Sequence, residues 1–177
     1  KPGMTLFHEA FISIRDFFEA GGNVLWAILF VTMIMWTLII ERIWYLYGVM
    51  PKTVKRVVES WDSRADTTSW YAKRIRDMMI SEVSVEARQY LLMIKTLMAV
   101  LPLLGLLGTV TGMVQVFDVM AITGTGNARL MAGGVSAATI PTMSGLVAAL
   151  SGLYLATFLE NKANSSIDHV GDLLVHH

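Results

Sequence analysis

Three hydroxyls stand where an apolar chain has least use for them. Residues 130–159 contain no Asp, Glu, Lys, Arg or His, yet Ser136, Thr139 and Thr142 recur every three residues and lead to Gly145. Ala149 and Gly152 extend the same stripe in small residues. Pro141 lies among them; having no N–H, it leaves the carbonyl of Ala137 without its helical donor and marks an expected helix kink. In lipid a freed carbonyl is costly unless protein or water satisfies it. The stripe is therefore expected to face other helices or a cavity, where its hydroxyls orient water and relay hydrogen bonds; simple packing is the competing account. A second run, LPLLGLLGTVTGMVQVF over residues 101–117, puts Gly105, Gly108, Gly112 and Gln115 at spacings of three, four and three, on one helix face. Gly108 and Gly112 form a G-x-x-x-G pair that lets another helix approach closely, and another copy of the chain is the expected partner. Thr109 flanks that face, and its hydroxyl either lines an aqueous path or bonds to the carbonyl one turn back.

The elements that must position these groups are membrane spans. More than half the residues are hydrophobic, and residues 21–40, 96–117 and 130–159 each lack any charged side chain or histidine. At 1.5 Å per residue, about 20 apolar residues cross the roughly 30 Å hydrocarbon core, and a helix satisfies its own backbone there. Trp26 near the start of the first stretch and Trp44, Tyr45 and Tyr47 near its end mark two interfaces. A cleavable signal peptide is not expected, because the stretch begins late and lacks a basic head and a small-residue cleavage site. The fold class expected is all-α, an integral membrane protein with three transmembrane helices.

Its organisation follows the charge. An amphipathic helix over 1–20 carries Leu6, Phe7, Ala10, Phe11, Ile14, Phe17 and Phe18 at helical spacing, ends at Gly21 and Gly22, and lies on the outer membrane surface or on neighbouring helices. Spans then occupy 21–47, 96–120 and 134–159. Nine of the 14 Lys and Arg fall between residues 51 and 95, so the positive-inside rule makes 48–95 cytoplasmic. The N-terminus and the 121–133 loop are then outside, and the 160–177 tail is cytoplasmic by parity. The cytoplasmic segment is expected to hold a helix opened by Pro51 and a second helix from Trp70. The second runs without a loop into span two, no Gly or Pro interrupting it. These helices are expected to pack against copies of themselves. Zero net charge gives no reason for a nucleic-acid partner, and the absence of cysteine removes disulfide and thiol chemistry. No metal or cofactor set and no enzymatic constellation stands out. The residues before Met4 and the terminal His176 and His177 are assigned no role.

The Glu41–Arg42 pair closing span one, the PLLGLLGTVTGM run of span two, and the stretch from Gly134 through TMSGL to Glu160–Asn161 resemble the ExbB, TolQ and MotA stators of ion-driven membrane motors, most closely ExbB. The resemblance implies a homo-oligomer, a pentamer, whose second and third spans enclose a single-span ExbD-like partner with an intramembrane aspartate. It also implies an inner-membrane location and a TonB-like protein as the load. Thr109 and Thr142 match the two threonines that the family places along its proton path, with Ser136 and Thr139 as further pore-lining hydroxyls. At Ala137 such sequences carry a glutamate. Stepwise proton transfer in a membrane needs a group that titrates near neutral pH, usually Asp, Glu or His. The uncharged stretches 96–117 and 130–159 of spans two and three contain none, so the acid is expected to come from the partner chain. A TolQ-like or MotA-like motor, or a passive membrane scaffold, are the alternatives.

Overall fold

The computed structural model describes residues 2–124, 126 and 128–175, and the terminal His176 and His177 lie outside them. Among the described residues every regular element is helical: α1 (Pro2–Gly21), α2 (Asn23–Trp44), a π-helical turn (Tyr45–Val49), α3 (Met50–Asp62), α4 (Trp70–Arg88), α5 (Leu91–Thr123) and α6 (Ala128–Leu173). Three helical stretches, Asn23–Asp62, Trp70–Thr123 and Ala128–Leu173, are long and apolar enough to cross a membrane. Phe30, Met33, Leu103, Leu106, Val110, Leu146, Val147 and Leu150 all point outward from them. Large side chains exposed in such number suit a lipid solvent and not water, and the chain is a membrane protein.

The helices contribute to two compact units, Lys1–Met35 with Leu97–Ser151, and Trp36–Thr96 with Gly152–His177. In the first, α1 ends at Gly21, and Gly22 takes the left-handed conformation (φ 72°) that a residue without Cβ enters freely. The turn lets Trp26 meet the Phe18 ring, centroids 4.8 Å apart. The outer face of α1 leaves Met4, Leu6, Phe7, Phe11 and Ile14 exposed, as an amphipathic helix without a protein partner would. Leu25, Ile28, Met35, Leu101 and Ala138 are buried in this unit.

The second unit is built around Trp61, buried with its indole N–H donating to the Val175 carbonyl at 3.1 Å. Beside it Arg76 donates from Nε to the Leu174 carbonyl at 2.5 Å and from Nη2 to the Gly171 carbonyl at 2.7 Å. The last carbonyls of a helix have no intrahelical donor and carry its negative dipole end, so a guanidinium there satisfies both. The start of α4 is capped by Ser69, whose hydroxyl accepts the Ala72 N–H. Asp66 in turn accepts backbone N–H groups from Thr68 and Ser69, each at 3.1 Å, and the Ser69 hydroxyl. The Ser69 hydrogen bonds, with that from Thr68, hold its carboxyl below the usual range.

Two features depart from the expected layout. The helix containing Pro51 does not start afresh there: it follows the π turn directly, and the Met50 N–H reaches back to the Tyr45 carbonyl, one residue further than in an α-helix. Pro51 has no N–H for the Tyr47 carbonyl and its ring would press on that group; widening the preceding turn relieves both. The helix from Trp70 is not continuous into span two either. Gln89 is extended (ψ 137°) and Tyr90 is left-handed (φ 65°), so α4 and α5 meet at a two-residue break. Conversely, the third span and the tail form one helix: α6 begins at Ala128, passes through Pro141 without interruption and ends at Leu173.

Candidate functional site

Within the first unit the glycine face of α5 lies on α6 of the same chain. A Cβ built on Gly105 would sit 2.7 Å from the Pro141 carbonyl oxygen, one on Gly108 2.4 Å from the Pro141 Cβ, and one on Gly112 2.8 Å from the Ala138 Cβ. From the other side, a Cβ on Gly145 would sit 2.5 Å from the Leu101 carbonyl. Real Cβ atoms do not come so close, so four glycines bring the two backbones into direct contact. The partner of the G-x-x-x-G pair is thus the chain's own third span where a second copy was expected. Gly152 is buried in the second unit.

This contact creates the site. With no side chain at Gly105, its carbonyl is reachable from two helices, and two threonines use it. Thr109 Oγ1 lies 3.3 Å from the Gly105 carbonyl within α5, and Thr142 Oγ1 reaches the same oxygen from α6 at 3.1 Å. The two hydroxyls also touch each other directly. Thr109 therefore bonds one turn back and also meets a hydroxyl on another helix. Both hydroxyls are half-buried.

Ser136 and Thr139 do not join them. Both are exposed, and Thr139 donates to the Ser136 carbonyl at 2.7 Å. A step of three residues turns a helix by about 300°, so a stripe with that period drifts by about 60° per step and leaves the Thr142 face within two steps. Pro141 is buried, its ring carbons facing Gly108. Gln115 and Ala137, the latter where the family resemblance expects a glutamate, both line a cleft of about 800 Å³ in this unit.

The second unit holds a site that residue spacing did not reveal. Arg42 is only 2% exposed. Its guanidinium grips the adjacent Glu41 with two bonds, Nε to Oε2 at 2.5 Å and Nη2 to Oε1 at 2.6 Å, and Nη1 donates to the Glu86 carbonyl at 2.8 Å. The Tyr45 and Tyr90 rings lie 4.3 and 5.3 Å from its central carbon. Tyr45 donates its hydroxyl to Glu86 Oε2 at 2.8 Å. A buried charge is tolerated when paired and hydrogen-bonded, and this one is also sandwiched by aromatic faces. Arg42 thus satisfies a carbonyl at the end of α4 where the chain breaks, and its contact with the Tyr90 ring accompanies that residue's unfavourable φ. A nearby ion pair, Lys95 to Glu160 at 2.7 Å, joins the start of α5 to α6. The Glu41–Arg42 dipeptide was visible in the sequence; its long-range partners had no local signal.

Among the described residues no cluster of three or more His, Cys, Asp or Glu could hold a metal ion. The site can exchange hydrogen bonds but has no side chain of its own that titrates near neutral pH.

Comparison with known proteins gives the family. Over 80 residues, 44% of this chain, it is 35% identical to the biopolymer transport protein ExbB-like 1 of Synechocystis sp., covering 32% of that relative. Over 64 residues, 35% of this chain, it is 42% identical to ExbB-like 3 of the same organism, covering 30%. The matches span about a third of the length of each relative. Residues 47–171, which include both threonines, all four packing glycines and the Lys95–Glu160 pair, match the family model, and the chain belongs to the MotA/TolQ/ExbB proton channel family.

Proposed function

We propose that this chain is an ExbB-like subunit of a proton-driven motor of the bacterial inner membrane. It assembles as a homo-oligomer, a pentamer, around a single-span ExbD-like partner, with its N-terminus outside and its C-terminus in the cytoplasm. The motor energises a TonB-like protein for import across the outer membrane. The observation that carries this reading is the Thr109–Thr142 pair on the Gly105 carbonyl, set in stretches, residues 96–117 and 130–159, that contain no Asp, Glu, Lys, Arg or His.

The chemistry follows from what a hydroxyl does. It donates one hydrogen bond and accepts others, so it solvates a carboxylate or a water without storing a proton. An aspartate on the partner's span, brought beside Thr142, takes a hydrogen bond when ionised and releases that demand when protonated. The acid carries the proton and this chain stabilises the charged form. Ser136 and Thr139, exposed on α6 but turned off the Thr142 face, would line the pore beside this pair and not in contact with it. Each proton crossing 100 mV releases about 2.3 kcal/mol, so heavier work couples several.

Proton flux into liposomes tests the reading. The homo-oligomer alone is expected to be nearly silent, and adding the aspartate-bearing partner should open a flux. Thr142→Val keeps the shape and removes the hydroxyl; losing a hydrogen bond to a charged group, ~1.5–3 kcal/mol, corresponds to a flux about 10- to 100-fold lower with assembly intact. Strong flux without the partner, or full flux with both Thr109→Val and Thr142→Val, would sink the proposal.

A further inference from the structure

The break between α4 and α5 is one that its own residues do not ask for. On either side of Tyr90, Glu86–Gln89 and Leu91–Met93 are strong helix formers, and no Gly or Pro lies between Trp70 and Leu101. A helix commonly ends on a left-handed Gly or Asn and begins behind a Ser, Thr, Asp or Asn. Tyr90 stands in both places, left-handed (φ 65°) at the end of α4 and immediately before α5. Among the described residues it is the one with a side chain at positive φ, a conformation that strains a bulky residue. No acidic residue lies in the first turn of α5, and its first backbone bond across the break is Ile94 N–H to the Tyr90 carbonyl at 2.9 Å. The N–H groups of residues 90–93 thus lack the helical acceptors that residues 86–89 would supply in a continuous helix. Where local preference and fold disagree in this way, a functional or strained site is expected.

Contacts from other helices hold the break. In a continuous helix the Glu86 carbonyl accepts the Tyr90 N–H; here it accepts the Gln89 N–H at 3.3 Å and Arg42 Nη1 at 2.8 Å. Arg42, buried on α2, therefore serves the carbonyl that Tyr90 would otherwise serve, and its guanidinium also faces the Tyr90 ring. On the two sides of the break, Arg88 donates to Asn164 Oδ1 at 2.9 Å and Lys95 pairs with Glu160 at 2.7 Å. A straight helix sets these two anchors about 10.5 Å apart along its axis, whereas their partners on α6 are about 6 Å apart, so the broken form suits both clips at once. We infer that Gln89–Tyr90 is a hinge with two closely balanced forms. In one, Arg42 holds the Glu86 carbonyl and the helices are broken; in the other, the Tyr90 N–H takes that carbonyl, Arg42 has withdrawn, and α4 and α5 are continuous. Because Arg42 belongs to α2, displacement of α2 along α4 selects the form.

Hydrogen–deuterium exchange of the purified oligomer, followed in peptides covering residues 90–93, reads the hinge. Fast exchange is expected in wild type. Tyr90→Ala and Tyr90→Gly both take the ring away from Arg42, but alanine favours the helix and glycine the left-handed turn. Tyr90→Ala should slow exchange about tenfold, from the lost ring contact and the gain in helix preference, while Tyr90→Gly stays as fast as wild type. Arg42→Gln should also slow it, and adding Tyr90→Gly should restore the fast rate. A side chain that only packs would do the reverse, since its loss loosens the segment and speeds exchange. Unslowed exchange in Tyr90→Ala, or equal slowing in Tyr90→Ala and Tyr90→Gly, would overturn the hinge. Slowing in Tyr90→Ala with none in a correctly assembled Arg42→Gln would overturn Arg42 as its latch.

Discussion

The two units hold their helices together by opposite means. In the first, contact is made by what is missing: Gly105, Gly108, Gly112 and Gly145 give up their side chains so that α5 and α6 touch backbone to backbone. In the second, contact is made by long side chains that reach across. Arg42 and Arg76 bond the carbonyls near the ends of α4 and α6, and Trp61 fills the space between. Of the glycines there, Gly152 is buried, Gly48 would meet only the Trp44 ring at 3.7 Å and Gly171 nothing within 4 Å at the Cβ position. The contrast follows the solvent. Between lipid-bathed helices no hydrophobic gain rewards association, and close van der Waals approach must supply it; near water, buried apolar area and paired charges do the work.

Removing one reaching side chain should give the largest effect. Arg42→Ala leaves the Glu86 carbonyl with the Gln89 N–H as its remaining donor and Glu41 without its cation, and is expected to cost about 3 kcal/mol, the lower end for a broken buried pair because Glu41 is part-exposed. Arg42→Lys should recover only part of this, since an ammonium cannot grip Glu41 with two parallel bonds and reach a carbonyl too. Thermal unfolding of the detergent-solubilised oligomer measures both; a lysine variant as stable as wild type would show that charge alone matters at this position.

Adding a single carbon to the glycines sharpens the contrast from the other side. Gly105→Ala and Gly145→Ala push a methyl into backbone carbonyls that cannot move aside, an overpacking cost of about 1–3 kcal/mol each. Gly171→Ala, inside α6 with open space at its Cβ, should instead raise stability by roughly 0.5–1 kcal/mol. If all three melt alike, the division between the units has no energetic content.

The smallest effect is expected at Asp66, in the exposed turn before α4. Its folded pKa is lowered below the unfolded value near 3.8, so its stabilising contribution is present above that value and fades as the pH falls through the folded pKa. Asp66→Asn keeps the oxygen that accepts the two N–H groups, gives up the one that accepts the Ser69 hydroxyl, and removes the titration. The variant should lose a small part of the acid-side slope in melting temperature below about pH 4, and nothing near neutrality. An unchanged slope would assign the turn's stability to its hydrogen bonds without the charge.

Much of the first unit was legible because lipid makes sequence speak plainly. Uncharged stretches of span length, a glycine face at spacings of three and four, and threonines beside it were all readable. What those glycines face was not, because a small residue permits an approach without naming the partner. The drift of Ser136 and Thr139 away from Thr142 was readable in principle, since a period of three is not 3.6. The second unit hid more. The break at Gln89–Tyr90 carries no Gly or Pro, and the π turn at Tyr45–Val49, which holds Gly48 and precedes Pro51, reads from the sequence as the start of a helix. Both lie beside Arg42, whose role depends on a residue 44 positions away.

The meeting of Thr109, Thr142 and the Gly105 carbonyl has one more consequence. Three oxygens make three mutual contacts, but two hydroxyls carry only two protons. The cluster is therefore always one proton short of filling every contact. Besides the state in which both hydroxyls donate to the carbonyl, it has two chained directions: Thr109 pointing to Thr142 while Thr142 points to the carbonyl, or Thr142 pointing to Thr109 while Thr109 points to the carbonyl. Turning two C–O bonds exchanges them with every heavy atom at rest. A junction between spans can thus reverse its polarity without moving a helix, and a charge arriving on either side finds a donor already within one bond rotation.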